Sequence, residues 1–200
     1  MTDERLNSQI QFIVEIDKLK SVLRRTTIMD GSRRENSAEH SWHLALMALV
    51  LSEHAEDSVD IGRVIRMVLL HDIVEVDAGD TFCYDEVGIL SQAEREHQAA
   101  LRVFGLLPDA QASDLRDLWH EFEAGETADA RFAVALDRLQ PLLCNMESKG
   151  GSWAKYGISA DQARARMAPI ARSSSKLHDL ASTLLDEAIT KGFLLDRAKT

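Results

Sequence analysis

Apolar side chains recur at helical spacing along most of this chain, and this periodicity constrains the fold more than any other feature of the sequence. No segment sustains the alternation of polar and apolar residues that is typical of a half-buried strand, and only three prolines interrupt the pattern. The segment 64–70 is almost wholly apolar, which indicates a helix buried on most sides. Helices are predicted over residues 6–23, 37–54, 61–75, 91–104, 110–122, 127–148, 160–170 and 175–191.

Short polar or glycine-containing segments join the predicted helices, and none of them is typical of a linker between domains. An arginine-rich connector covers 24–36, an irregular segment covers 76–87, and a loop covers 150–153. Ser37 is the predicted N-cap of the second helix, but its capping box is incomplete because His40 stands where glutamate or glutamine is usual. With 200 residues, 45% of them apolar, the chain is predicted to form one all-α domain, a bundle of about eight helices.

The charge balance excludes one broad class of partner. The chain has 23 lysine and arginine residues against 33 aspartate and glutamate residues, a formal net charge of −10, so it repels a nucleic-acid backbone. Its two cysteines, Cys83 and Cys144, provide no disulfide framework, which favours a reducing compartment. No leader sequence is recognised, and the longest apolar run, 44–51, is far shorter than the roughly 20 residues of a membrane span. We therefore expect a soluble cytoplasmic protein that binds neither nucleic acid nor a membrane.

Ionisable residues interrupt two of the most apolar predicted helices. His71 and Asp72 follow directly on an apolar run, and Glu75, four residues after His71, is predicted to share its helical face. Asp137 is a lone carboxylate that follows the apolar run 132–136. Burying such groups is costly without compensation, and coordination of a divalent metal provides it. Neutral imidazole nitrogen together with carboxylate oxygen suits Mn, Co, Fe, Ni or Zn.

His40, near the start of the second predicted helix, completes a candidate ligand set. Together with His71, Asp72 and Asp137 it makes four ligands on three helices. The alternative interpretation is a helix C-terminus, where the histidine favours the helix dipole and Asp72 is merely solvated. Pro141 favours the first interpretation, because its missing N–H would have bonded the Asp137 carbonyl, and a kink beside a buried carboxylate indicates a site.

The order His…His-Asp…Asp resembles the signature of the HD-domain metal-dependent phosphohydrolases. The segment 33–40 (RRENSAEH), the motif His71-Asp72-x-x-Glu75, the pair Gly79-Asp80 and Arg25 are all similar to the 5′-deoxynucleotidase branch of that family. The resemblance extends over about 12–149, which is the predicted core of the domain. The remaining helices, in 150–200, are predicted to pack on this core within a single HD-type domain over 1–200.

This resemblance implies that His40, His71, Asp72 and Asp137 hold one divalent metal ion, either a transition metal (Mn, Co, Fe, Ni or Zn) or Mg. The ion would act as a Lewis acid on the phosphoryl group and would activate water. First-row metals follow similar affinity orders at most nitrogen and oxygen sites, so the sequence does not single out one of them. Members of the family are commonly dimers, and a homodimer is therefore expected.

The resemblance also implies roles for three further residues. Glu75 looks like the residue that orients or deprotonates the attacking water. Asp80 resembles the family's second acidic residue near the substrate, able to hydrogen-bond a sugar hydroxyl or to protonate the leaving oxygen. Arg25 looks like the clamp for the phosphate, because a guanidinium fork matches phosphate oxygens, and either Arg33 or Arg34 is a candidate to assist it.

One departure from the family pattern concerns the sugar. Bacterial deoxynucleotidases of this branch have an aromatic residue directly after the clamp arginine, where it contacts the sugar, and this chain has Thr26. The choice between deoxyribose and ribose therefore stays open. Three other residues have two interpretations each: Trp153 and Tyr156 either cover the pocket or plug a core edge, and His43 either supports His40 or only packs.

The predicted activity is metal-dependent hydrolysis of (deoxy)nucleoside 5′-monophosphates to nucleoside and phosphate. The alternatives are an HD-type hydrolase of another phosphate ester and a non-catalytic nucleotide-binding or scaffold protein. A di-iron oxygenase on the same scaffold would need further ligands for a second ion, which the four-ligand set does not supply. A cyclic-dinucleotide hydrolase is disfavoured because no Gly-Tyr-Pro follows His71-Asp72.

Overall fold

A computed structural model describes residues 3–196, and it confirms the all-α fold class. Most predicted helices are present with bounds shifted by a few residues. No helix in this part of the chain is long and apolar enough to cross a bilayer. The helices are α1 Glu4–Ile16, α2 Ser37–Leu51, α3 Ile61–Leu70, α4 Glu75–Ala78, α5 Glu86–Phe104, α6 Asp109–Ala124, α7 Ala128–Glu147, α8 Gly151–Tyr156, α9 Ala160–Met167 and α10 Ser175–Thr190, with 3₁₀ turns at Asp17–Ser21, Ser52–His54 and Ala168–Arg172.

Helix α7 lies at the centre of the bundle. It packs against α2, α3, α6, α8, α9 and α10. Its apolar residues Phe132, Leu136 and Leu139 are almost completely buried. This burial explains why apolar residues recur at helical spacing along this segment of the sequence. The helix continues through Pro141, and the kink expected there stays a prediction, as does the single domain over 1–200.

The arginine-rich connector contains a small β-hairpin that the sequence did not predict. Strands β1 Leu23–Thr27 and β2 Arg34–Asn36 pair in antiparallel register, and the predicted first helix therefore ends well before residue 23. The strands are short and polar, so they carry no alternation of apolar residues that a sequence pattern would reveal. The side chain of Arg34 donates hydrogen bonds to the Leu23 and Arg24 carbonyls, which ties the two strands together.

The third helix ends earlier than predicted. Helix α3 stops at Leu70, residues 71–74 form a turn, and the short helix α4 begins at Glu75. His71 and Glu75 therefore do not share the face of one continuous helix, and the prediction that they do is wrong. Trp119 explains the break in part. Its indole Nε1 donates to the His71 carbonyl (3.2 Å), so this carbonyl has a hydrogen-bond partner without a further helical turn.

The predicted loop at 150–153 is instead the start of helix α8. Gly150 and Gly151 have φ of 104° and 35°, and a Cβ at Gly151 would lie 2.4 Å from Ser148 Oγ. Only glycine combines this positive φ with such a close contact to Ser148, because it has no Cβ. The Asn145 side chain then accepts hydrogen bonds from the Ser152 amide (2.8 Å) and the Trp153 amide (3.3 Å), so it caps the new helix.

Apolar side chains remain exposed on the outer faces of the first two helices. Ile13 and Val14 of α1 are 58% and 66% exposed, and Trp42, Leu49 and Val50 of α2 are 60%, 56% and 70% exposed. Surfaces of this kind are common at protein–protein contacts. The homodimer stays a prediction.

The N-cap of α2 is Asn36 rather than the predicted Ser37. The Asn36 side chain accepts from the Glu39 amide (3.0 Å), and the Glu39 carboxylate accepts from the Asn36 amide (2.8 Å). The capping box is therefore complete, one residue earlier than predicted. This shift leaves the Ser37 hydroxyl available for a different partner.

Removal of this cap is expected to weaken the start of α2. Asn36→Ala should lower the free energy of unfolding by about 1 kcal/mol, whereas Asn36→Asp should keep most of it because aspartate caps equally well. Urea unfolding followed by circular dichroism measures both variants. Equal stability of wild type and Asn36→Ala would contradict the assignment of the cap.

Candidate metal centre

The four side chains predicted as metal ligands lie together in the middle of the bundle. His40 of α2 and the pair His71 and Asp72 after α3 are buried, and each offers a ligand atom within 4.8 Å of the others. Asp137 of α7 joins them, with its Oδ1 3.0 Å from His40 Nε2 and 3.8 Å from His71 Nε2. The structure thus brings the two imidazoles and two carboxylates to one point between three helices.

The donor atoms fit a divalent cation. Asp72 Oδ1 is 3.0 Å from His71 Nε2, yet this nitrogen is buried without a hydrogen-bond partner. Adjacent ligands of an ion bound at about 2.1 Å lie roughly 3 Å apart, so the spacing is that of ligands that share an ion. His71 Nδ1 bonds the Val68 carbonyl (2.8 Å), which turns Nε2 towards the cluster. Mixed nitrogen and oxygen donors suit a first-row transition metal.

The electrostatics of the cluster favour a positive charge at its centre. Burial alone would lower the pKa of His71, whereas Asp72 and Asp137 raise it to about 9. Burial alone would raise the pKa of Asp72, but His71 and Arg24 lower it to about 2. Burial also acts to raise the pKa of Asp137, and the hydrogen bond with His40 and the charge of Arg138 hold it well below its usual value. Both carboxylates therefore stay ionised.

A buried chain of hydrogen bonds orients His40 from behind. Its Nδ1 lies 3.1 Å from Gln140 Oε1, and Gln140 Nε2 donates to Glu35 Oε1 at 2.6 Å. Gln140 is fully buried, and its Nε2 also lies 3.3 Å from His43 Nδ1. His43 therefore contacts Gln140, the middle residue of these hydrogen bonds. Neither Gln140 nor Glu35 was predicted from the sequence as a site residue. Gln140 follows Asp137 by three residues on one helix, which is the spacing that could have indicated it.

Arg24 contacts the cluster directly, although the sequence analysis selected its neighbour. Arg24 Nη1 donates to Asp72 Oδ2 at 2.7 Å, and its Nε lies 3.6 Å from Glu35 Oε2. Burial acts to lower the pKa of Arg24, but Asp72 and Glu75 together raise it above the usual range. Arg25 is exposed at the edge of the cavity beside this cluster, with its guanidinium 5.6 Å above the ring of Tyr156.

The other two arginines of the connector have structural partners. Arg33 forms a bidentate ion pair with Glu39 (2.6 and 2.9 Å), and Arg34 binds the carbonyls of β1. Neither lines the cavity that opens onto the metal ligands. The hypothesis that one of them assists Arg25 is therefore not supported.

Glu75 and Asp80 both line this cavity, in an environment that favours their protonated forms. Burial and the nearby Asp72 raise the pKa of Glu75 well above its usual value, and Ser37 Oγ donates to Glu75 Oε2 at 2.5 Å. Burial and Asp72 also raise the pKa of Asp80, against the effect of Arg24, while the backbone N–H of Arg25 donates to its carboxylate. Sequence reasoning selected both residues but not Ser37.

The cavity has a volume of about 310 Å³, at the low end of small-molecule sites. Thr26 is buried in its wall, and Phe82 and Tyr84 line it with their rings 5.3 Å apart. Trp153 is buried and also lines it, so both interpretations of this residue hold at once. Tyr156 packs on Phe82 at the same end (5.0 Å).

A second His-Asp doublet in the sequence lies elsewhere. His178 and Asp179 are in the first turns of α10, with Asp179 exposed, and neither lines the cavity. The doublet therefore does not supply ligands for a second ion beside His71.

A His…His-Asp…Asp cluster between the helices of an all-α bundle, opening onto an arginine-lined cavity, defines a metal-dependent phosphohydrolase of the HD type. The HD domain family model matches residues 16–178, and the chain belongs to this family. Human 5′-deoxynucleotidase HDDC2 is 30% identical over 137 residues, which cover 68% of this chain and 66% of the human protein. The Danio rerio protein of the same name is 25% identical over 162 residues, covering 78% and 80%.

A solved structure is similar over nearly the whole chain. The crystal structure of a predicted metal-dependent phosphohydrolase from Magnetospirillum magnetotacticum MS-1 has a TM-score of 0.92 and 54% sequence identity. The match covers 96% of each chain. The fold and the family are therefore shared along the chain, including its C-terminal helices.

The chain of hydrogen bonds behind His40 generates a prediction about metal affinity. Gln140→Met keeps the size of the side chain but removes both hydrogen bonds, and the affinity for Mn²⁺ or Co²⁺ should fall by about 10- to 100-fold. Metal competition with a chromophoric chelator measures the affinity. Gln98→Met, on the exposed face of α5, is the matched control and should bind metal as the wild type does. Unchanged affinity of Gln140→Met would show that Gln140 does not position His40.

Proposed function

We propose that this protein hydrolyses nucleoside 5′-monophosphates to nucleoside and inorganic phosphate, with His40, His71, Asp72 and Asp137 as the ligands of one divalent metal ion. The observation that carries the proposal is the orphaned His71 Nε2, which faces two ionised carboxylates at the edge of a cavity that also contains Glu75. The 5′-deoxynucleotidase names of the relatives support the class of substrate.

The metal ion and the residues around it have separate roles in the proposed hydrolysis. A divalent ion bound there supplies Lewis acidity to a phosphoryl oxygen and lowers the pKa of water. Glu75 accepts the proton of the attacking water at Oε1, because Ser37 already occupies Oε2. Burial raises the pKa of the Glu75 carboxyl well above its usual value, and the carboxylate of such a group is a stronger base than that of an ordinary glutamate.

Asp80 and Arg25 are placed to bind the rest of the substrate. Burial raises the pKa of Asp80, which favours a role as proton donor to the leaving 5′ oxygen or as a hydrogen-bond partner of a sugar hydroxyl. The Arg25 guanidinium is exposed at the mouth of the cavity, where it can form a bidentate contact with phosphate. Thr26 lines the wall without an aromatic ring, so the contacts that would reject a ribose 2′-hydroxyl are reduced.

A phosphate-release panel tests the proposal. Purified protein loaded with Mn²⁺, Co²⁺ or Mg²⁺ should release phosphate from several nucleoside monophosphates, and kcat/KM for dAMP and AMP should differ by less than about tenfold, equivalent to roughly 1.4 kcal/mol. Release from none of them with any of the three metals would contradict the proposed function. Release only from esters without a base would replace the substrate class and leave the hydrolase chemistry in place.

The Glu75→Gln variant distinguishes hydrolysis in this cavity from hydrolysis by a contaminating phosphatase. The amide keeps the size of the side chain and should leave metal content unchanged, whereas phosphate release should fall by about 10²- to 10⁴-fold because the base is lost. Glu94→Gln, on the exposed face of α5, is the control and should keep wild-type activity. Full activity of Glu75→Gln would exclude Glu75 as the base.

A further inference from the structure

Two arginines that the proposed function does not use line the same cavity: Arg138 of α7 and Arg166 of α9. Arg138 Nη1 donates to Asp137 Oδ2 at 2.8 Å, and the Arg138 Nε is buried without a hydrogen-bond partner. Within residues 3–196, Arg166 forms neither a hydrogen bond nor an ion pair. Both side chains therefore keep donors that point at no protein acceptor.

Other arginines on the same two helices are paired. Arg131 of α7 binds Asp57 at 2.7 Å, and Arg164 of α9 binds Asp186. Arg164 and Arg166 are two residues apart, so they lie on different faces of one helix. On α9, the lack of a carboxylate partner thus distinguishes Arg166, which lines the cavity, from Arg164, which is exposed.

The charges of Arg138 and Arg166 oppose each other. Both side chains line the same cavity, and each carries a positive charge. The neighbouring Cys83 and Tyr84 bring no counter-charge, because burial raises the pKa of both. Asp137 offsets the charge of Arg138, whereas Arg166 has no ion-pair partner within residues 3–196, so an anion bound by both guanidinium groups would offset the charge of Arg166.

We propose that Arg138 and Arg166 form an anion-binding pair that receives the phosphate group of the substrate beside the metal centre. Guanidinium forks match phosphate oxygens in geometry and in charge. Arg138 already contacts one carboxylate oxygen of Asp137, so a phosphate bound by the accessible part of its guanidinium would lie next to the predicted metal ligands. The inference rests on the proposed function and adds two binding residues to Arg25.

Arg166→Gln tests the pair with inorganic phosphate as the probe. Isothermal titration of the metal-loaded protein at constant ionic strength should show phosphate affinity reduced by about 10- to 100-fold, the usual effect of losing a charge-assisted hydrogen bond. Arg164→Gln removes the same charge from the same helix and should change the affinity less than twofold. Arg138→Lys, which keeps the charge and loses the fork, should bind phosphate more weakly than the wild type.

Thermal unfolding distinguishes a binding role from a structural one. Arg166→Gln should unfold at the same temperature as the wild type or higher, because it removes repulsion and no intramolecular bond. Phosphate should raise the unfolding temperature of the wild type by more than that of Arg166→Gln. A lower unfolding temperature of the variant without phosphate would assign Arg166 to the structure of the protein and overturn the inference.

The outcomes separate this inference from the proposed function. Wild-type phosphate affinity and KM in Arg166→Gln, with hydrolysis intact, would overturn the arginine pair and leave the hydrolase in place. Equal weakening in Arg164→Gln and Arg166→Gln would show a general effect of net charge and would also overturn it. Arg166-dependent phosphate binding in a protein that hydrolyses no monophosphate would support the pair while the proposed function fails.

Discussion

The burial of two ionised carboxylates between helices is the constraint on which the rest of the site depends. Asp72 and Asp137 have lost most of their water, and their charges are offset by imidazoles on one side and by Arg24 and Arg138 on the other. Removing water from charges costs several kcal/mol each unless partners replace it. The surrounding groups are therefore arranged around these carboxylates, and together they favour a cation among them.

This arrangement also explains how a chain of net charge −10 can receive a phosphate ester. Net charge governs encounters with large polyanions, whereas the affinity for one phosphate depends on the groups in a single cavity. Four arginines line this cavity, and Arg24 and Arg138 are anchored by the same carboxylates that form the metal cluster. The acidic centre thus anchors two of these basic groups, and their guanidinium donors lie in the cavity that would receive a small anion.

The cluster of His40, His71, Asp72 and Asp137 was predictable because its signal is local. A lone Asp137 in an apolar helix and a His71-Asp72 pair after an apolar run are conspicuous in sequence, whatever the tertiary structure. Gln140 and Arg24, in contrast, do not stand out in the sequence. Their importance depends on which strand face points inward and which turn of α7 meets His40, and these are properties of packing that no periodicity encodes.

The secondary structure, like the site, is only partly predictable from the sequence. The long helices follow from their apolar stripes, whereas the β-hairpin, the end of α3 at Leu70 and the start of α8 depend on single contacts. Two glycines predict a loop at 150–151, and only the side chain of Asn145, brought in from the preceding helix, makes them the first turn of a helix instead. Such contacts between distant or adjacent elements set the boundaries that the sequence pattern leaves open.

The central claim is that one divalent ion binds where the three helices meet, and anomalous X-ray scattering from crystals grown with Mn²⁺ tests it most directly. The account predicts a single strong peak in contact with His40, His71, Asp72 and Asp137. A peak at another carboxylate cluster, or a peak that leaves Asp137 uncoordinated, would contradict it.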